Sequence, residues 1–251
     1  KTDEETGQTI ISGMGELHLE VVLRRLLDDF GVEVNAGQPQ VVYRESVSAE
    51  ASHTEIFERE IDGKLQRGEV SLRVAPRERG SGNEILLPPL DTEGLSEEIL
   101  SALRETLTMA LGSGVQIGYP MVDISVVVDQ LPVTPGVTSV LGVRAAAQRG
   151  LTLAIRAAKP VLLEPVMALE IISPGEFSGK VYGGLQQKGG RVEGMESREV
   201  VDLVRAHIPL SEMFGYMTEL RSATQGRGSF TMAFSHYDKV PVSVLERLGL
   251  K

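Results

Sequence analysis

The sequence predicts an α+β protein: a partial ferredoxin-like unit, an α+β middle domain and a ferredoxin-like C-terminal domain. Three observations lead there. Apolar residues switch repeatedly between helical and alternating spacing along the chain, residues 166–237 read β-α-β-β-α-β, and residues 1–44 hold only half of such a unit.

In the first segment Thr9-Ile-Ile11 reads as a strand end, and Leu19, Val22, Leu23, Leu26 and Phe30 recur at helical spacing over 16–30. Gly31 stops that helix, and Val32 to Tyr43 reads as extended. A lone strand–helix–strand cannot bury its own sheet face, so residues 1–44 read as a truncated domain.

The middle region spans 45–163. Two strands are expected over 53–60 and 69–75, joined by the turn-rich Asp62-Gly-Lys-Leu-Gln-Arg-Gly68. Ser96 is placed to cap a helix carrying Ile99, Leu100, Leu103, Leu107 and Ala110, closed by Gly112-Ser-Gly114. Met121 to Val128 alternates as a strand with Val122, Ile124, Val126 and Val128 on one face. An Ala-rich helix over 139–158 ends before Pro160.

The last region, 164–240, opens on a strand over 166–172. Ser173-Pro-Gly-Glu176 has the form of a capping box and predicts a helix through Phe177, Val181 and Leu185 to Gly189-Gly190. Strands over 191–195 and 200–208 follow. Pro209-Leu-Ser211 starts a second helix with Leu210, Met213, Phe214, Met217 and Leu220 inward, and a strand over 228–237 completes the unit. Residues 241–251 form a tail.

Composition narrows the function. With 251 residues, 41% apolar and 4% aromatic, the cores must be aliphatic. The absence of cysteine removes disulfides, thiol catalysis and zinc–thiolate clusters. No apolar run approaches the roughly 20 residues that span a bilayer, so a cytoplasmic protein with no membrane partner is expected. A net charge of −10 excludes a generalised electrostatic grip on nucleic acid. Acidity is concentrated in the first two segments, because residues 166–251 carry 10 basic and 10 acidic groups. Any RNA contact must use a local basic patch or shape. The chain opens on Lys1, which reads as a piece cut from something longer.

No catalytic constellation emerges. There is no GxxxxGK[ST], GxSxG or HExxH, so no catalytic residue is assigned. His18, His53, His207 and His236 fall in four separate elements, and neither metal ligands nor cofactor-binding residues are assigned.

Several polar residues invite a contact role. Lys188 and Arg191 flank two glycines at a helix end, where the plain alternative is a C-cap whose cations complement the helix dipole. Arg221 and Arg227 flank Thr224-Gln225-Gly226 at the end of the second helix, where the plain alternative is again a cap and turn, while Gly-Arg-Gly lets the backbone approach a large partner closely. Lys64, Gln66 and Arg67 lie in the first middle-region loop, where the alternative is a solvated hairpin tip.

Ten motifs, in order, resemble the elongation factor G / elongation factor 2 family of translational GTPases. Ile11-Ser-Gly-Met-Gly-Glu-Leu-His-Leu-Glu20, Gly37-Gln-Pro-Gln40 and Tyr43-Arg-Glu45 match its third domain. Gly112-Ser-Gly114 and Gly118-Tyr-Pro-Met-Val-Asp123 match its elongated fourth. Val161-Leu-Leu-Glu-Pro165, Met213-Phe-Gly-Tyr-Met217, Leu220-Arg-Ser222, Thr224-Gln-Gly-Arg227 and Phe234-Ser-His-Tyr237 match its ferredoxin-like fifth.

The resemblance implies a ribosome-binding module whose parent hydrolyses GTP with magnesium in a domain this chain lacks, while the chain itself is no enzyme and holds no cofactor. It implies tip loops in the decoding region that keep tRNA and mRNA moving together, with the fifth domain on ribosomal RNA near the factor-binding site. The contact set it implies is Lys64, Gln66, Arg67, Val133, Thr134, Thr138, Lys188, Arg191, Arg221, Gln225 and Arg227.

The sequence departs from the family pattern at the tip. Gln130-Leu-Pro-Val-Thr-Pro-Gly-Val-Thr-Ser139 stands where a His-Asp-Val-Asp-Ser-Ser-like run is usual. Gly63-Lys-Leu-Gln-Arg-Gly68 keeps only part of a Gly-x-Gly-Gln-Tyr-Gly pattern. Two alternatives stand beside translocation: a specialised paralogue in ribosome recycling or another ribosome-linked role, and a ferredoxin-like module that binds a small regulatory ligand. The half unit at the start also predicts self-association of the fragment.

Overall fold

The computed structural model describes residues 8–11, 13, 16–37, 40–89, 94–247 and 249–250. By contact they divide into two units. The described residues of Lys1–Val42 and of Glu164–His236 form one, and those of Tyr43–Leu163 and Tyr237–Lys251 form the other.

The second unit is built on a sheet of β2 (Ala51–Ile61), β3 (Lys64–Pro76), β5 (Ile124–Gln130) and β4 (Glu84–Leu86), in the spatial order β2-β3-β5-β4. β2–β3 and β3–β5 are antiparallel, and β4 runs parallel to β5. Helices α2 (Glu97–Leu111) and α3 (Val140–Ala157) supply the rest of its core. Val70, Leu72 and Val74 of β3, Leu103 and Leu107 of α2, Ile124 and Val126 of β5, and Leu151 and Ile155 of α3 are buried in one cluster. Both helices start as predicted: the Ser96 hydroxyl accepts from Ile99 N–H at 3.3 Å and that of Ser139 from Gly142 N–H at 3.0 Å.

The expected 62–68 loop is corrected. The connection is a two-residue turn, with Asp62 and Gly63 at φ 52° and 72° and Ile61 paired with Lys64. Positive φ at both central residues matches the twist of the flanking strands. The next glycine, Gly68, serves a different purpose. A Cβ there would sit 2.2 Å from the Gly142 carbonyl carbon, so Gly68 and Gly142 let β3 and α3 touch backbone to backbone. The predicted strand over 121–128 is shifted as well, because Asp123 at φ 56° interrupts it ahead of Ile124.

Two buried carboxylates tie the loops of this unit. The Asp123 carboxylate accepts the N–H groups of Gly80 and Gly82 at 3.1 and 2.9 Å. Glu45, in β1 (Arg44–Val47), accepts five: Val115 and Gln116 on Oε2 at 2.8 and 2.9 Å, and Ile117, Gly118 and Tyr119 on Oε1 at 3.0, 3.0 and 3.2 Å. A separate cluster gathers Val240 and Val244 with Leu162, Tyr43 and Tyr119. Val244 belongs to the short helix α6 (Val242–Arg247), which forms within the expected tail.

In the other unit, β6 (Pro160–Pro174), α4 (Ser178–Gln187), β7 (Arg191–Arg198), β8 (Val201–Pro209), α5 (Tyr216–Ala223) and β9 (Ser229–Lys239) follow the β-α-β-β-α-β order. β6 lies between β8 and β9, and β7 flanks β8. The first four residues of β6 pair with β1 inside the second unit. Leu169, Ile171, Val181, Leu185, Val204, Ala206, Ile208, Tyr216 and Leu220 form the core.

Three expectations are revised here. The capping box does not form, because β6 runs on to Pro174 and pairs Ser173 with Asp202. A 3-10 turn (Gly175–Phe177) then leads into α4, whose Ser178 hydroxyl donates to the Asp202 carboxylate. The second helix is broken: a 3-10 turn (Leu210–Glu212) and Gly215 at φ 80° precede α5, so Tyr216 fills the core while Phe214 is only half-buried. In the first segment α1 (Glu16–Asp28) forms, but Thr9 makes only an isolated bridge and residues 31–37 and 40–43 form no strand. Extended chain becomes a strand only by pairing with a neighbour's backbone, and Gln40 N–H goes instead to the Gln8 side-chain oxygen at 2.8 Å. Gly13-Met-Gly15 and Gly37-Gln-Pro39 fall partly outside the described residues.

Candidate nucleic-acid interface

The β2–β3 hairpin ends at Asp62-Gly63, and the segment 131–139 docks onto its flank. Ser139 N–H donates to the Arg67 carbonyl at 2.9 Å, Thr138 bridges Arg67, and the Gly68–Gly142 approach lies one residue further on. Thr134-Pro-Gly-Val137 closes as a type II turn: Val137 N–H donates to the Thr134 carbonyl at 3.1 Å, with Gly136 at φ 74°. The Thr138 hydroxyl accepts Thr134 N–H at 2.9 Å, a further bond within the segment.

Six of the expected contact residues therefore meet at one end of the unit. Lys64 is exposed beside the turn, and Gln66 is half-buried opposite Arg59. Arg67 lies 3.3 Å from Glu58 and 3.8 Å from Glu69, so its charge is matched locally. Thr134 is exposed, Thr138 is half-buried, and Val133 packs against the core. Glu58, Glu60, Asp62 and Glu69 outnumber Arg59, Lys64 and Arg67 along the hairpin end. The hairpin end thus carries no net positive charge.

The five remaining candidates split between the two ends of the α4–α5 layer. At one end Lys188 closes α4, and Gly189 at φ 69° with Gly190 N–H on the Leu185 carbonyl at 2.8 Å completes the C-cap. Lys188 Nζ reaches Glu219 of α5 at 3.0 Å, while Arg191 is exposed at the start of β7. At the other end α5 runs out through Arg221 into Gln225 (φ 54°), Gly226 and Arg227. Arg227 is held at 2.6 Å from Glu176 and stacks over the Phe177 ring at 4.8 Å, with Lys180 5.8 Å from the same ring. Glu176, Phe177 and Lys180 were missed in the sequence, since they lie some fifty positions from Arg227.

Asp202 and Tyr216 are among the groups of this unit whose titration is shifted. Hydrogen bonds from Ser178 and Ser197 hold the Asp202 carboxyl below its ordinary range. Burial, with a smaller push from Glu219, raises the Tyr216 phenol to about 12. No sequence spacing groups the histidines, yet the sheet brings two together: His207 of β8 and His236 of β9 meet edge to face, 5.3 Å between centroids. Among the described residues no three His, Asp or Glu side chains form a metal-binding group.

Family models match the chain end to end: "Elongation Factor G, domain III" over residues 1–38, "Elongation factor G, domain IV" over 39–159 and "Elongation factor G C-terminus" over 161–248. The chain belongs to the elongation factor G family. It is 56% identical over 99% of its length to "Elongation factor G 2" of Geobacter metallireducens and 54% identical, again over 99%, to "Elongation factor G 1" of Geobacter sulfurreducens. It spans about a third of the curated relatives it matches, 36% of each of these two. A crystal structure of a Thermus thermophilus protein superposes with a TM-score of 0.81 at 33% identity, over 99% of this chain and 37% of that one. Tyr43-Arg-Glu45, Gly112-Ser-Gly114 and Gly118-Tyr-Pro-Met-Val-Asp123, the motifs that resembled the family, acquire a common purpose in the structure. Glu45 from the first is gripped by the loop that the other two frame.

Proposed function

We propose that this chain is the ribosome-binding C-terminal part of a translational GTPase of the elongation factor G family, acting in tRNA–mRNA translocation. The observation that carries the proposal is the joined tip: a two-residue hairpin and a proline-closed segment locked together at Arg67 and Gly68 on a rigid sheet–helix scaffold. Lys64, Gln66, Arg67, Val133, Thr134 and Thr138 are the residues through which this end meets the decoding region. Lys188, Arg191, Arg221, Gln225 and Arg227 meet ribosomal RNA near the factor-binding site. The chain itself is not an enzyme. GTP and magnesium act in the full-length parent, a ribosome-dependent GTPase of the cytoplasm.

A toeprint with the full-length parent and GTP on a pre-translocation ribosome tests this: the mRNA advances by one codon. No advance, while another elongation factor G works alongside, defeats translocation as the function. A specific observation favours a second reading, a specialised paralogue in recycling or another ribosome-linked step. The 134–138 turn carries no histidine or acid, and the Thr138 hydroxyl and the N–H groups of Thr134, Val137 and Thr138 bond within it, which leaves fewer groups to hold a codon–anticodon helix. The small-molecule regulatory reading has no support in family matches that run the length of the chain. Self-association of the isolated chain is supported by the exposed apolar residues Val21, Leu27 and Phe30 of the first segment. A clean monomer in sedimentation at high concentration would remove it.

A further inference from the structure

The geometry points to a two-histidine site for a divalent transition-metal ion on the sheet of the ferredoxin-like unit. His207 stands on β8 and His236 on β9, and the strand between them presents opposite His207 only the methyl group of Ala168. His207 Nε2 and His236 Nδ1 converge on one atom, the Ser235 hydroxyl, at 3.0 and 2.9 Å. A hydroxyl donates its one proton to a single imidazole and accepts an N–H from the other. With both rings in the tautomer that leaves these nitrogens bare, their two lone pairs aim at one point, which a cation takes in place of the hydroxyl.

The far side of His207 supplies an independent observation. Its Nδ1 lies 3.1 Å from Glu193 Oε1. A carboxylate accepting that N–H fixes the tautomer with the Nε2 lone pair free, as in the carboxylate–histidine pairs behind metal-ligating imidazoles. Solvent reaches the cluster, since the His207 side chain is 22% and that of Glu193 54% exposed.

Imidazole selects zinc, copper, nickel or cobalt over magnesium or calcium, which prefer oxygen donors. A tetrahedral ion with ligands about 2.0–2.1 Å away spaces two nitrogens by roughly 3.3 Å. Binding requires a turn of the His236 ring that brings the two nitrogens to that spacing, with the serine hydroxyl displaced from between them. Water fills the other positions. The ion ties β8 to β9 across β6, a function separate from the tip.

The test is titration of Zn²⁺ into the untagged, chelator-stripped 251-residue chain by calorimetry, with the imidazole proton signals followed by NMR. One ion binds, and the His207 and His236 resonances shift while those of His18 and His53 stay. H207A and H236A each abolish the heat, and E193Q weakens binding about tenfold. S235A retains it, because the hydroxyl is no ligand. Absence of binding overturns the proposal, as does a Zn²⁺ ion that survives both histidine substitutions or that moves His18 or His53 in the wild-type chain. The NMR readout needs no variant, so a substitution that fails to fold leaves the proposal open to refutation.

Discussion

Replacing Glu45 by alanine tests what organises the second unit. Its carboxylate is fully buried and is the acceptor for five consecutive N–H groups, from Val115 to Tyr119. Each donor left without a partner costs about 1–3 kcal/mol. Gln116, Ile117 and Gly118 are exposed on their outer side, so water recovers some of them. With about two of the five left stranded, the loss comes to about 4 kcal/mol, large for a single substitution. For a unit of this size that lowers its melting temperature by roughly 10–15 °C.

Glu45→Gln keeps one acceptor oxygen but points an NH₂ at the remaining donors, and loses about half as much. A second variant makes the reasoning specific. A Cβ on Gly114 would sit 2.2 Å from Glu45 Cδ, so Gly114→Ala is damaging alone, yet less damaging once Glu45 is already alanine. The two costs then sum to more than the double variant shows. Denaturant melts followed by circular dichroism measure all four proteins. If Glu45→Ala and Glu45→Gln both melt within about 1 kcal/mol of wild type, the carboxylate does not hold the loop and the argument fails.

Two further outcomes are expected. Gly142→Ala forces a methyl group to 2.2 Å from the Arg67 carbonyl carbon, prising segment 131–139 off the hairpin at a cost of about 3 kcal/mol; amide exchange at Ser139, whose N–H donates to Arg67, then accelerates, and unchanged protection there refutes the docking. Asp202, whose pKa is depressed in the folded chain, adds stability that is present above its ordinary 3.8 and is lost as pH falls through the lower folded value. Asp202→Asn therefore flattens the acid limb of a stability–pH curve, and a wild-type limb in the variant contradicts the assignment.

Local signals were readable wherever chemistry acts between near neighbours. Ser96 caps its helix because a hydroxyl before an apolar-periodic run bonds the nearby N–H groups of the first turn, and the Gly189-Gly190 stop followed from the same local logic. The failures have physical causes too. Gly68 looks like a turn glycine in sequence because turn and close-approach glycines are the same residue; only the opposing Gly142 distinguishes them, across more than seventy positions. Ser173-Pro-Gly-Glu176 has every residue of a capping box, but strand pairing to Asp202 claims Ser173 first. The candidate contacts were unsorted in space. Nothing in the chain announces that Arg67 and Thr138 adjoin, that Lys188 and Arg227 mark opposite ends of a helical layer, or that two histidines share one serine.

The return of the chain after His236 has a consequence for how the protein can be rearranged. Val240 N–H donates to the Leu162 carbonyl at 3.0 Å, so the point where the backbone leaves the second unit and the point where it comes back are tied together. The ferredoxin-like segment is therefore topologically a loop: an excursion beginning and ending at one place, which evolution or an engineer can lengthen, exchange or excise. A short connector from Leu163 to Tyr237 would keep Val240 and Val244 seated on Tyr43 and Leu162.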